Sequence, residues 1–201
     1  MPILGSFAGG SARGLGGLRT FGSAAVVDDG AVFAISNVVL STTTASVTFS
    51  SIPSTYAHLQ LRCFVRDARV DILSSLRIRM NGDTTSNYAY HCSRGDTTNV
   101  TSGDQGRSTG IEFDRVINGA NSPANSFGIL IIDIPDYVSA NKYKTVTAIG
   151  GAENASAGTG ITSFNSGLWN NTSAITSLTI FSPYANMLAN SRIGLYGIKG
   201  A

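Results

Sequence analysis

The sequence predicts an all-β protein, a single β-sandwich of jelly-roll type with an extended Gly-rich N-terminal arm. Three observations predict it. The 201 residues include 23 Gly, only 13% are charged, and Ser, Thr and Asn are abundant, a composition that favours strands and turns over helices. Short segments alternate apolar and polar residues with period two, the mark of half-buried strands. Clusters of Gly, Pro, Asn, Asp and Ser separate these segments at short intervals, as in sandwiches and barrels. The length suits one domain with an arm, so residues 1–30 are assigned to the arm and 31–201 to the sandwich.

The opening stretch, Met1 to Gly30, is Gly-rich and carries isolated apolar residues, Ile3, Leu4, Phe7, Leu15, Leu18 and Phe21. Such Gly density makes an independent fold costly in backbone entropy, and no unbroken apolar run follows basic residues as in a secretory signal. The spacing predicts an arm that docks on a partner, with those six apolar residues as its contacts. Strands then begin at Val32 with VFAISNVVL and continue with SVTFSSI, where Val47 and Phe49 alternate with Thr48 and Ser50 before Pro53.

Ile52 to His91 reads as the organising stretch. One strand puts Leu59, Leu61, Cys63 and Val65 on its core face and Gln60, Arg62, Phe64 and Arg66 on the other. The next puts Leu76, Ile78 and Met80 on the core face and Arg77 and Arg79 opposite, and reaches Asn81-Gly82, the signal for a tight hairpin returning through Tyr88 to Cys92. If these strands are neighbours, Arg62, Arg66, Arg77 and Arg79 gather on one face, a candidate subunit interface that would meet a neighbouring subunit's acids, Asp67 and Asp71 being the nearby candidates.

Ser93 to Gly110 reads as an exposed loop, dense in Gly, Asp, Thr and Ser. Ile111 to Ile117 alternates again. Phe127 to Ile134 is almost unbroken apolar sequence and reads as a central strand covered on both faces. Strands follow at Tyr143–Ile149, Ile161–Trp169, Ile175–Phe181 and Ile193–Ile198, with a second Gly-rich loop at Gly150 to Gly160.

Several function classes find little material. A net charge of +2 is too small and scattered for a nucleic-acid stripe, and no apolar run reaches membrane-spanning length, so neither nucleic acid nor membrane insertion is expected. The only glutamates are Glu112 and Glu153, the aspartates lie mainly at turns, and His58 and His91 are the only histidines, so no catalytic residues are assigned. There is no Gly-x-Ser-x-Gly elbow and no phosphate loop. Cys63, Cys92, His58 and His91 lack paired-ligand spacing, so no metal and no cofactor are expected, and both cysteines read as small core hydrophobes. Arg94-Gly95-Asp96 and three Asn-x-Ser/Thr matches are cheap in a chain of this composition. Trp169 and the tyrosines are assigned to the core or to interfaces, with sugar stacking as the alternative.

Several stretches together resemble the small virion structural proteins of tailed bacteriophages, of the tail fibre or minor structural type. They are Met1-Pro-Ile-Leu-Gly5, Phe49 to Tyr56 with His58-Leu-Gln-Leu-Arg62, and Arg79 to Asp83 with Asn87 to His91. Ile132-Asp-Ile134, Asn141 to Thr145, Gly167-Leu-Trp169 and Leu195 to Gly200 continue the resemblance to the C-terminus. It implies a virion protein assembled in the host cytoplasm, bound to other virion proteins and to itself, with a trimer the expected oligomer. It implies binding, not turnover: a tail fibre or spike component whose loops meet a host-surface glycan or protein. Capsid decoration, as a cement or head-fibre protein, is the alternative; polysaccharide depolymerase is a weaker one.

Overall fold

The computed structural model describes residues 31–154 and 160–200. The arm residues Ile3, Leu4, Phe7, Leu15, Leu18 and Phe21 lie outside them. The described residues contain no helix, and their strands are β1 (Val32–Val39), β2 (Ser46–Phe49), β3 (His58–Val65), β4 (Leu73–Met80), β5 (Tyr88–Gly95) and β6 (Val100–Ser108), then β7 (Ile111–Asn118), β8 (Gly128–Pro135), β9 (Lys144–Ala152), β10 (Ile161–Trp169), β11 (Leu178–Phe181) and β12 (Arg192–Ile198). They form two antiparallel sheets packed as a sandwich. The larger has the order β1-β12-β3-β8-β9-β10-β5-β6 and the smaller β2-β11-β4-β7. The chain passes repeatedly from one sheet to the other, as a jelly roll does.

Period-two alternation supplies the core. Leu59, Leu61, Cys63 and Val65 of β3 and Leu130, Ile132 and Ile134 of β8 face Leu76, Ile78 and Met80 of β4 and Phe113 of β7, and all are buried. Trp169, Tyr88 and Tyr137 fill this core as well. Their polar ends find partners at its margin: Trp169 Nε1 donates to Asp83 Oδ2 at 2.8 Å, and the Tyr137 hydroxyl donates to the Pro53 carbonyl. Both cysteines are free and buried, and burial pushes the Cys63 thiol up to about 12, which leaves it an inert apolar group.

Three expectations are corrected. Asn81-Gly82 does form a tight turn, with φ of 51° and 66° and Asp83 N donating to Met80 O at 2.9 Å, but it makes a corner between sheets, not a hairpin. The reason is tertiary: Asn81 Oδ1 accepts from the Thr176 and Ser177 amides, and Asp83 is held to Trp169 on β10, so the chain leaves β4 for the other sheet. Ser93 to Gly110 is no loop: β5 runs to Gly95 and β6 returns as the edge of the large sheet. An edge strand exposed on both faces needs no apolar row, so its composition imitates a loop. Phe127–Ile134 contains β8, which is central in its sheet as expected. Only one face of it is covered, however, because Ile129 is 54% exposed and Ile131 is half-buried on the outer side.

Buried polar groups tie down the irregular segments. Lys144 is 1% exposed, and its Nζ donates to the carbonyls of Ser139, Lys142 and Thr172 at 2.6, 2.8 and 2.9 Å, which joins the turn before β9 to the segment after β10. Burial lowers its pKa, while the three carbonyl dipoles offset that desolvation.

Candidate contact surfaces

One end of the sandwich is an open cleft of about 430 Å³, lined by Asp71, Asp96, Thr97, Thr98, Arg115 and Gly160 over a floor of Ile72, Leu73 and Ile161. The floor belongs to a small apolar cluster with Ala152, separate from the main core. The β5–β6 tip is shaped by Asp96, whose Oδ1 accepts from the Thr98 and Asn99 amides at 2.9 and 2.8 Å; these bonds hold its carboxyl below the usual range. Asp71 is fixed by Arg69 at 3.2 Å and by the Ile72 amide at 2.7 Å. Arg115 enters from β7, where the register against β4 shifts between Ser74 and Leu76, and it holds a φ of 55°. A bulge of this kind re-aims side chains, here toward the cleft. The tip and the ends of the β9–β10 connection, Glu153–Asn154 and Gly160, share a second hollow of about 310 Å³ with Asp96. The β5–β6 tip and the ends of the β9–β10 connection therefore meet in space.

The four arginines do not gather on one face. β3 and β4 lie in different sheets. Arg62 stands on the outer face of the large sheet, its Nε donating to Gln60 Oε1 at 2.8 Å and its guanidinium 5.0 Å from the Tyr196 ring centroid. Arg66 is buried and donates to the carbonyls of Ala120, Ser122 and Pro123 at 3.0, 2.7 and 2.5 Å, clamping the turn before β8. Arg77 pairs with Glu112 at 2.5 Å, and Arg79 donates to Thr109 O at 2.7 Å while lying over the Phe181 ring. Nor is Asp67 open to a neighbour, and Asp71, though partly exposed, lies at the cleft. Asp67 is fully buried and accepts from Ser74 and Ser182 at 2.6 and 2.5 Å, and Asp71 is paired with Arg69.

Glu112 is the centre of a network on the small sheet. Besides Arg77 it accepts from Tyr184 at 2.9 Å and Tyr90 at 3.4 Å, and Arg69 lies 4.1 Å from the Tyr184 centroid. Burial and the adjacent carboxylate push the Tyr90 hydroxyl up to about 12. Arg94 of β5 pairs with Asp114 of β7 beside it. These contacts clasp the edge strand β7 to the large sheet and engage the one buried glutamate in structural bonds.

A second open surface was not anticipated. On the outer face of the large sheet, Phe64, Ile129, Ile149 and Phe164 are 43%, 54%, 55% and 57% exposed, and they are adjacent. Ile131 pairs with Ile149, Ile149 with Phe164, and Phe64 with Ile129 across successive strands. Phe127 stacks on Phe64 at 4.9 Å. The legible signal was apolar residues at both parities in β8, with a Phe or Ile at outward positions of the strands beside it.

No protein-family model matches this chain, and no curated protein matches it in sequence. Similar solved structures include the Caenorhabditis elegans galectin LEC-6, at 7% identity and a TM-score of 0.31, covering 82% of this chain and 96% of that one. They also include the marine PL-14 alginate lyase from Aplysia kurodai, at 10% identity and a TM-score of 0.29, covering 81% of this chain and 80% of that one. A third is the alginate lyase vAL-1 from Chlorella virus, at 10% identity and a TM-score of 0.25, covering 76% and 84%. At such identities and scores none of them carries an argument about this chain's ligand or chemistry.

Proposed function

We propose that this chain is a virion structural protein of the tail fibre or spike type, attached through its N-terminal arm and presenting the sandwich to the host surface as part of a homo-oligomer. The observation that carries the reading is the convergence of the β5–β6 tip and the ends of the β9–β10 connection around one open cleft. Strands fix the geometry and loops make the contact, which is the usual division of labour in a display scaffold. Asp71, Asp96, Thr97, Thr98 and Arg115 offer carboxylates, hydroxyls and a guanidinium at the rim, a set suited to the hydroxyls of a surface glycan or to a polar protein loop. The role is binding, since the buried glutamate and its tyrosines are committed to clasping β7.

The test is made on particles. Deleting residues 1–22 in the phage genome should yield particles that lack the protein, and purified full-length chain should compete with intact particles for adsorption to host cells. The double variant Asp96→Ala, Arg115→Ala should remain on particles and fail to compete. Absence of the full-length protein from purified particles would sink the proposal, and a copy number in the hundreds would move it to capsid decoration.

A further inference from the structure

The geometry points to the apolar band on the outer face of the large sheet as a self-association surface, on which two copies of this chain pack face to face about a two-fold axis running along β9. Four adjacent side chains that each leave about half of their surface in water, with the half-buried Ile131 among them, expose an apolar patch on the order of 400 Å². A standard protein interface covers about 800 Å² per partner, a little over half of it apolar, so the band is the size of one complete interface centre. Its chemistry fits as well. Arg62, Asp133 and Thr147 border it, and the described residues of the large sheet's outer face place no lysine inside it.

The occupant follows from the strand order. β9 carries Ile149, with β8 and β10 on its two sides, β3 and β5 next, and β12 and β6 beyond them. An axis along β9 therefore lays β8 of one copy on β10 of the other, Ile131 against Phe164, and sets Ile149 against its own equivalent. The same rotation keeps each cross-strand level, so Arg62 of β3 comes opposite Ser93 of β5, and Tyr196 of β12 comes opposite the exposed Asp104 of β6. A phenol hydroxyl on one flank brought opposite a carboxylate on the other repeats on both sides of the axis, the self-complementarity that an isologous contact requires. Tyr196 is held in place on its flank. Its ring leans over Gly194, where a Cβ would stand 2.9 Å from it, and Arg62 stacks on the same ring.

This inference takes its biological setting from the assembly reading but departs from it in symmetry, since a face-to-face isologous contact makes a dimer and not the trimer that the resemblance implies. It is tested on the purified full-length chain, independently of any particle. Light scattering should give twice the chain mass of 20.9 kDa, and Ile149→Asp should return the mass to 20.9 kDa with unchanged circular dichroism and melting. Under mild oxidation, Ile149→Cys should cross-link into a covalent dimer, whereas Thr48→Cys, on the outer face of the small sheet, should not. A monomer at all concentrations, a trimer, or a dimer that survives Ile149→Asp and gives no cross-link overturns the proposal.

Discussion

Neighbouring isoleucines on β8 provide a sharp test of how the sandwich is built. Ile132 is fully buried between the sheets, whereas Ile131, one residue earlier, faces outward and is half-buried. Ile132→Ala removes three carbons from the core. At about 0.8 kcal/mol per buried methylene the transfer term is roughly 2.4 kcal/mol. A cavity that collapses only in part adds about 1–2 kcal/mol, for a total of about 3.5–4.5 kcal/mol. In a domain of this size that corresponds to a melting temperature lower by roughly 10 °C. Ile131→Ala loses only partly exposed area and should cost under about 1 kcal/mol. Urea denaturation is the assay, with both variants at concentrations where they are monomeric, because self-association would otherwise add to apparent stability. The midpoint should fall far more for Ile132→Ala, with equal slopes. Equal midpoints, or a larger fall for Ile131→Ala, would show that the outward assignment of β8 is wrong.

Lys144→Met should destabilise the domain by about 2–4 kcal/mol in the same assay, because three carbonyls lose their donor in a buried site; a change within about 0.5 kcal/mol would refute that role. Asp83 should contribute to acid sensitivity. Burial raises its pKa, but hydrogen bonds from Thr85, Trp169 and Asn87 outweigh burial and hold it at about 2. The folded state thus binds this proton less readily than the unfolded chain, so the stabilisation is complete above the ordinary carboxylate range and is lost as pH falls through about 2. Asp83→Asn should be less stable than wild type at neutral pH, with the two melting curves converging in strong acid. A gap that stays constant with pH would count against the carboxylate.

Local information determined much of this protein. Alternation in β3 and β4 told which side chains turn inward, since side-chain direction along a strand follows from backbone geometry alone, whereas the unbroken apolar run of β8 hid its open outer face. Composition favoured strands and turns over helices, and the two cysteines were legible as core residues from their parity. What tertiary structure decided was which sheet each strand joins. Arg62 and Arg77 have the same parity relative to their cores, yet they stand on opposite outer faces of the sandwich because β3 and β4 belong to different sheets. The Asn81-Gly82 turn has hairpin dihedrals but serves as a corner, because its partners, Trp169, Thr176 and Ser177, are far away in sequence. The apolar band is the same case. Phe64, Ile129, Ile149 and Phe164 are each unremarkable as single outward residues, and only the ladder β3-β8-β9-β10 brings them side by side, because pairing across strands depends on long-range register that no local window of sequence contains.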